Sequence, residues 1–187
     1  AVNVISVVSR IAGAPDTGAV VRLLQDAAWG LGADGAMFTS FVRDDATLAS
    51  YRYLLACDPM WALHYAQNKS WLDDPWLRYA LYNTEPVVAE TSADGTDGVS
   101  LGLWAGGAVT KFGFASTLVV PAPTAAAQSR VGVLCLGSAR PGFFSGLGCA
   151  TLRCLARGLA MEAGDWLHRQ IRQELIARTR ITADELT

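Results

Sequence analysis

The sequence predicts an α+β domain: an antiparallel sheet with helices packed on it. Strand-like segments come in neighbouring pairs, as hairpins do. No regular strand–helix–strand alternation runs through the chain, which argues against a parallel sheet. A long helical pattern, apolar first and charged later, closes it. The length of 187 residues suits one domain.

Thr17 to Leu31 reads as a helix, with Val20, Val21, Leu23, Leu24, Ala27 and Ala28 at helical spacing. Gly30 and Gly32 end it. Gly35–Val42 is strand-like, with Met37, Thr39 and Phe41 on one face. Asp44–Asp45 makes a turn, and Thr47–Leu55 alternates again with Tyr51 and Tyr53 on one face. Asp58–Pro59 opens a helix carrying Trp61, Leu63, His64 and Tyr65, because Asp caps well and Pro fits the first turn. Asp74–Pro75 repeats the signature and opens a short helix through Tyr82.

Glu85–Glu90 reads as a brief strand, Ser92–Gly98 as a loop, and Ser100–Lys111 as a weak helix containing Trp104. Phe114–Pro121 and Arg130–Ser138 are the best strands, linked loosely by Ala122–Ser129. From Pro141 the pattern turns helical to about Thr179, with Leu147, Leu152, Leu155, Leu159, Trp166, Leu167, Ile171, Leu175 and Ile176 as its apolar positions. It becomes charged after Asp165. Thr182-x-x-Glu185 is a capping box, which predicts the start of a further helix.

Hydrophobic residues make up 51% and charged residues 17%, against about 25% charged in an average soluble protein. Mean hydropathy is +0.25. That composition excludes intrinsic disorder. A net charge of −2 and a pI of 5.6 exclude a strongly basic nucleic-acid binder over these residues. The apolar excess fits a large core, a greasy cavity or a partner surface.

A membrane span is not expected. The least charged stretch, Gly98–Ala127, is broken by Gly106, Gly107, Gly113, Pro121 and Pro123. No basic segment precedes a short apolar core at Ala1, so no signal peptide is visible. Cys57, Cys135, Cys149 and Cys154 form no C-x-x-C pair, and His64 and His168 are the only histidines. The set reads as reduced cysteines of a cytoplasmic protein, without metal or other cofactor.

Catalysis finds no support. Gly30-x-Gly32-x-x-Gly35 matches a phosphate-loop pattern, but a helix precedes it and a strand follows, the reverse of what phosphate cradling needs. A helix C-cap and turn explain these glycines better. Ser145 is displaced by one from a nucleophile elbow. Asp73 and Asp74 are adjacent, and neighbouring carboxylates usually point apart. The aromatics are more informative. Trp61, Tyr65, Trp71, Trp76, Tyr79 and Tyr82 crowd into 22 residues. Their polar tips want partners when buried, which a core face or a pocket wall can supply.

Trp61-x-x-x-Tyr65, then eight residues, then Asp74-Pro75 resembles the signature of the autoinducer-binding domain of LuxR-type quorum-sensing regulators. The resemblance extends through most of the chain, from a two-helix start and hairpin to the long closing helix. It implies an α-β-α sandwich, with a central antiparallel sheet of about five strands and helices on both faces. It implies a sensor domain over residues 1–176 and a linker over 177–187. A helix-turn-helix domain, absent here, would then contact DNA. The implied ligand is an acyl-homoserine lactone or similar small amphipathic signal, and the implied partner is a second copy of the chain.

By the same resemblance, Trp61 donates its indole N–H to the lactone carbonyl and Asp74 accepts the ligand amide N–H. Tyr65 lines the pocket near that amide. Met37, Thr39, Phe41, Tyr51 and Tyr53 wall the acyl chain. Cys135 falls where the family often has Ser or Thr. The chain departs from the family at Ala89, where a second Trp is usual, at Cys57, where Tyr is common, and at Thr117, where Gly is expected. Trp76 or Trp104 would fill the space of the missing indole. The alternative on this fold is a ligand-free dimerisation or anti-activator module, its cavity filled by its own Trp and Phe side chains.

Overall fold

The computed structural model describes residues 3–43, 49–57, 75–90, 114–124, 130–146 and 149–184. Helix α1 spans Val4–Ile11 and buries Val4, Val7 and Ile11. The Asn3 side chain caps it, accepting the Ser6 N–H at 3.3 Å. Helix α2 spans Thr17–Gly30, capped by Asp16, which accepts the Ala19 N–H at 2.8 Å. Together with α1 it makes the two-helix start that the resemblance implies. Gly32 has φ +79°. Its N–H bonds Trp29 O at 2.9 Å, and the Ala33 N–H bonds Ala28 O at 2.9 Å. This pair of bonds is a Schellman motif, so the glycines do end a helix.

Strands β1 (Gly35–Arg43), β2 (Ala49–Ala56), β3 (Val87–Glu90), β4 (Ser116–Pro123) and β5 (Arg130–Ser138) form one sheet in the order β2-β1-β5-β4-β3. Every neighbouring pair is antiparallel. Helix α3 spans Pro75–Tyr82, and helix α4 runs 36 residues from Cys149 to Asp184. The α+β class and the five-stranded antiparallel sheet with helices on both faces are therefore as the sequence predicts.

Because side chains alternate along a strand, the register assigns each residue to a face. Ala36, Phe38, Leu54, Leu118, Val120, Leu134 and Leu136 share a core with α1, α2 and α4. From α4, Ala156, Leu159, Ala160, Ala163, Trp166 and Leu167 are buried there. Phe38 reaches close to two glycines: a Cβ on Gly132 would stand 2.7 Å from its Cζ, and one on Gly164 3.3 Å. The Trp166 indole donates to Ala14 O at 2.9 Å, and Arg169 donates to Ala12 O at 3.2 Å, so the α1–α2 connection is tied to α4. The opposite face carries Met37, Val119, Val131, Val133 and Cys135, covered by Trp76, Leu77 and Ala80 of α3.

Polar contacts hold the sheet's ends. Asp34 accepts the Ala139 N–H at 2.6 Å and the Ser138 hydroxyl at 3.2 Å. Arg153 and Arg157 of α4 donate to Pro86 O at 2.8 Å and Thr84 O at 3.2 Å, which fixes the approach to β3. Arg52 and Glu174 pair at 3.1 Å with both side chains about half exposed, a contact worth about 0–1 kcal/mol.

Three boundaries differ from expectation. The closing helix begins at Cys149 rather than Pro141. Residues 141–145 form a turn, with Gly142 at φ +68°. Glu90 holds that turn by accepting the Gly142 N–H at 3.0 Å and the Ser145 hydroxyl at 2.7 Å. The helix also continues past Thr179 to Asp184, so Thr182 lies inside it rather than capping a new one. The boundary between 176 and 177 falls within α4. β4 starts at Ser116 and extends to Pro123. The turn at Asp44–Asp45, the helix opened by Asp58–Pro59, the loop Ser92–Gly98 and the helix Ser100–Lys111 lie outside the described residues. Among the described residues, no helix is long and apolar enough to cross a membrane.

Two glycine substitutions should act in opposite directions. Gly132→Ala adds a methyl against Phe38 and should lower stability by about 1–3 kcal/mol. Gly158→Ala, in an exposed turn of α4 with nothing within 4 Å, should raise it by about 0.5–1 kcal/mol. Urea unfolding measures both.

Arg130 places Nη1 2.9 Å from both ring nitrogens of His168 on α4. Only a neutral ring nitrogen can accept that bond. Burial, then the Arg130 and Arg172 charges, hold the His168 pKa below 6.5, and Asp165 opposes them. The folded state thus resists protonation. Stability should be complete above pH of about 6.5 and decline as pH falls through the folded pKa. His168→Gln should flatten that part of the profile of unfolding midpoint against pH.

Candidate functional site

The sheet face beneath α3 gathers most of the described residues selected from sequence. Thr39 lies opposite Tyr53 on β2 and Val133 on β5, and Met37 lies opposite Leu55 and Cys135. Alternation puts Met37, Thr39, Phe41, Tyr53 and Cys135 on this one face. Thr39 is fully buried, Cys135 is buried and Phe41 is half-buried. Tyr53 is 43% exposed and lies on β2, an edge strand of the sheet. Trp76 reaches the same face from α3, buried against it. Trp61, Tyr65, Asp74 and Trp104 lie outside the described residues. For Tyr51 the structure gives its backbone pairing with Phe41.

Helix α3 forms where it does because Pro75 suits a first helical position. Trp76, Leu77 and Ala80 then fall on its inner side. At its far end Asn83 bonds back to Tyr79 O, and the Tyr79 hydroxyl donates to Glu85 O at 2.9 Å. That bond sets how α3 leads into β3.

Between α3 and the sheet lies a hollow of about 20 Å³, lined by Met37, Cys57, Trp76, Phe114, Thr117 and Cys135 among others. That is room for about one water molecule. Gly35 and Gly137 face each other across β1 and β5 and leave bare backbone there. Phe114 lies on it. A Cβ on Gly137 would stand 2.5 Å from two of its ring carbons, and one on Gly35 would stand 3.1 Å from its Cζ and 2.9 Å from Cys57 Cβ.

Thr117 borders this hollow. The residue is 2% exposed, and its Oγ1 has no hydrogen-bond partner among the described residues. A buried hydroxyl left unpaired costs about 1–3 kcal/mol. Thr117 stands opposite Gly137 on one side and Ala89 on the other. Ala89 and Thr117, two of the positions noted above, are therefore cross-strand neighbours. The third, Cys57, lines the same hollow.

Phe114 was not singled out from sequence beyond its place in a strand. Glycines inside otherwise regular strands, here Gly35 and Gly137, were the available signal, because they often mark a close approach. Among the described residues, no side chain that lines the hollow carries a charge at neutral pH, and no group of three or more His, Cys, Asp and Glu could hold a metal ion. A wider groove of about 510 Å³ between α1 and α2, lined by Arg10, Arg22 and Asp26, is open to solvent and holds none of the selected residues.

No protein-family model and no curated protein matches the sequence. Solved structures do match. The structure of the N-acylhomoserine lactone dependent LuxR family transcription factor CepR2 from Burkholderia cenocepacia superposes with a TM-score of 0.71 at 16% identity, over 90% of this chain and 93% of that one. Escherichia coli SdiA superposes with a TM-score of 0.70 at 14% identity, over 89% of this chain and 66% of that one. SdiA in complex with octanoyl-rac-glycerol gives 0.68 at 13% identity, over 89% and 65%. The chain thus spans just under two thirds of these two SdiA chains. Over nine tenths of its length, this chain has the fold of the LuxR-family autoinducer-binding domains.

Proposed function

We propose that the chain is the ligand-sensing domain of a LuxR-type transcription regulator. It holds an N-acyl-homoserine lactone or similar small amphipathic signal between the sheet and α3. The observation that carries this reading is the shared fold with a lactone-dependent regulator and with SdiA bound to octanoyl-rac-glycerol. The apolar cluster on the sheet face beneath α3 supports it. In this reading Thr39, Phe41, Tyr53 and Trp76 contact the acyl chain, and Cys135 lies near the amide. Trp61, Tyr65 and Asp74 hold the polar end. The Asp74 bond to the ligand amide is charge-assisted and strong where water is excluded.

Burial of the tail stabilises the folded state by mass action. The regulator works in the cytoplasm as a homodimer, through a DNA-binding domain beyond these residues. On α4, Met161, Leu175 and Ile176 are exposed and supply an apolar surface for pairing.

A second reading is favoured by one observation: Phe114 already covers the glycine floor. A ligand-free dimerisation or anti-activator module on this fold would fill its cavity in that way. Thermal unfolding with a panel of acyl-homoserine lactones separates the two. A ligand at a hundredfold excess over its Kd should add about 2.7 kcal/mol, which is roughly 5–10 °C for a chain of this size. Asp74→Asn should weaken binding about tenfold or more, and Cys57→Ala should weaken it less. No shift with any chain length removes the lactone assignment.

A further inference from the structure

Helices α3 and α4 lie on opposite faces of the sheet: α3 packs with Val119, Val131 and Val133, and α4 with Leu118 and Val120. Among the described residues, three polar contacts nevertheless join α4 to the connection between α3 and β3. Arg153 Nη2 donates to Pro86 O at 2.8 Å and Arg157 Nη2 donates to Thr84 O at 3.2 Å. Arg157 Nη1 also stands 3.7 Å from Glu85 Oε2. From the other face, the Tyr79 hydroxyl of α3 donates to Glu85 O at 2.9 Å. Residues 84–86 are thus gripped by both helices, at the start of an edge strand. Pro86 is buried, and its ring restricts the backbone there. Glu90 pins the far end of the same strand to the 141–145 turn.

We propose that Arg153 and Arg157 are a strap that holds α3 shut over the sheet face, and that release of this strap lets a ligand in and out. The strap follows from the contacts above, and its meaning as the fastening of a ligand lid rests on the sensor reading. Helix α3 has eight residues, too few to persist in water without a surface to pack on. Trp76, Leu77 and Ala80 supply that packing. Lifting of α3 is therefore a local event, governed by what anchors its ends. The strap anchors the end that leads into β3. Both arginines are positioning residues, because they act through the 84–86 backbone and the Tyr79 hydroxyl. The same opening admits and releases a ligand, so a looser strap speeds both steps and leaves affinity nearly unchanged.

Amide hydrogen exchange tests the strap with no ligand present. Arg153→Met keeps the stem and removes the donor. In it the amides of 79–83 should exchange about tenfold faster, while those of β1 and β5 keep their rates. Arg153→Lys, which retains a charged donor, should restore most of the protection. Tyr79→Phe should speed the same amides, and combining it with Arg153→Met should add little, because the two bonds are links of one chain. Arg169→Met, which frees α4 from Ala12 O instead, should leave α3 unchanged. Unaltered α3 exchange in Arg153→Met, or a rise shared equally by β1 and β5, overturns the strap. Stopped-flow Trp fluorescence with the tightest binder of an N-acyl-homoserine lactone panel tests the lid. Arg153→Met should raise association and dissociation rates about tenfold each and hold Kd within about threefold. Rates equal to wild type overturn the lid and leave the sensor reading standing. Binding of no lactone overturns the sensor reading and the lid together, and the exchange rates still decide the strap.

Discussion

Pairing between β1 and β5 at the centre of the sheet sets Ala36 opposite Leu136 and Phe38 opposite Leu134, with Met37 opposite Cys135 between them. Every other packing relation follows from that register. The even-numbered residues of β1 face α2 and α4, and the odd-numbered ones face the side on which α3 packs against β4 and β5. A slip of one residue would send Phe38 to the α3 side and expose Met37 and Thr39 to the larger core. It would also separate Gly35 from Gly137, and the bare floor under Phe114 would be lost.

The two faces carry different polar groups, and each keeps one buried polar atom without a partner among the described residues, Arg130 Nε on the larger one and Thr117 Oγ1 on the other. On the larger one, Trp166 finds the Ala14 carbonyl. Beside it, the Ser116 hydroxyl donates to Glu90 and accepts from the Phe144 N–H. These are paired groups in a dry, close-packed setting, and their work is stability. The α3 face combines two thiols, a hydroxyl and a thioether around a small hollow, and the Thr117 hydroxyl has no partner among the described residues. A protein tolerates such a defect where something else completes it, and in the sensor reading proposed above a ligand does so.

Much of the fold was legible because it is local. Alternation marks β1 and β5, a 3.6-residue period marks α2, and Gly32 marks the end of α2 where the Schellman bonds form. The long helix was misjudged at both ends for tertiary reasons. Pro141–Ser145 looks helical by composition, but Glu90, far away in sequence, captures the Gly142 N–H and the Ser145 hydroxyl. Thr182 and Glu185 have capping-box spacing, yet the helix passes through Thr182. At the site, strand alternation was enough to put Met37, Thr39 and Phe41 on one wall, and pairing with β2 and β5 then added Tyr53 and Cys135. Phe114 was illegible because its role depends on where Gly35 and Gly137 arrive. Thr117 was noticed as a departure, but its unpaired state could be seen only with its neighbours in place.

The central claim is that the sheet face under α3 is built around a small acyl molecule. Denaturing mass spectrometry tests it most directly, on protein purified from cells grown with both N-octanoyl-homoserine lactone and 1-octanoylglycerol. The account predicts one octanoyl compound released in equimolar amount with the chain. Protein that is folded and carries neither compound, nor any other small molecule, would contradict it.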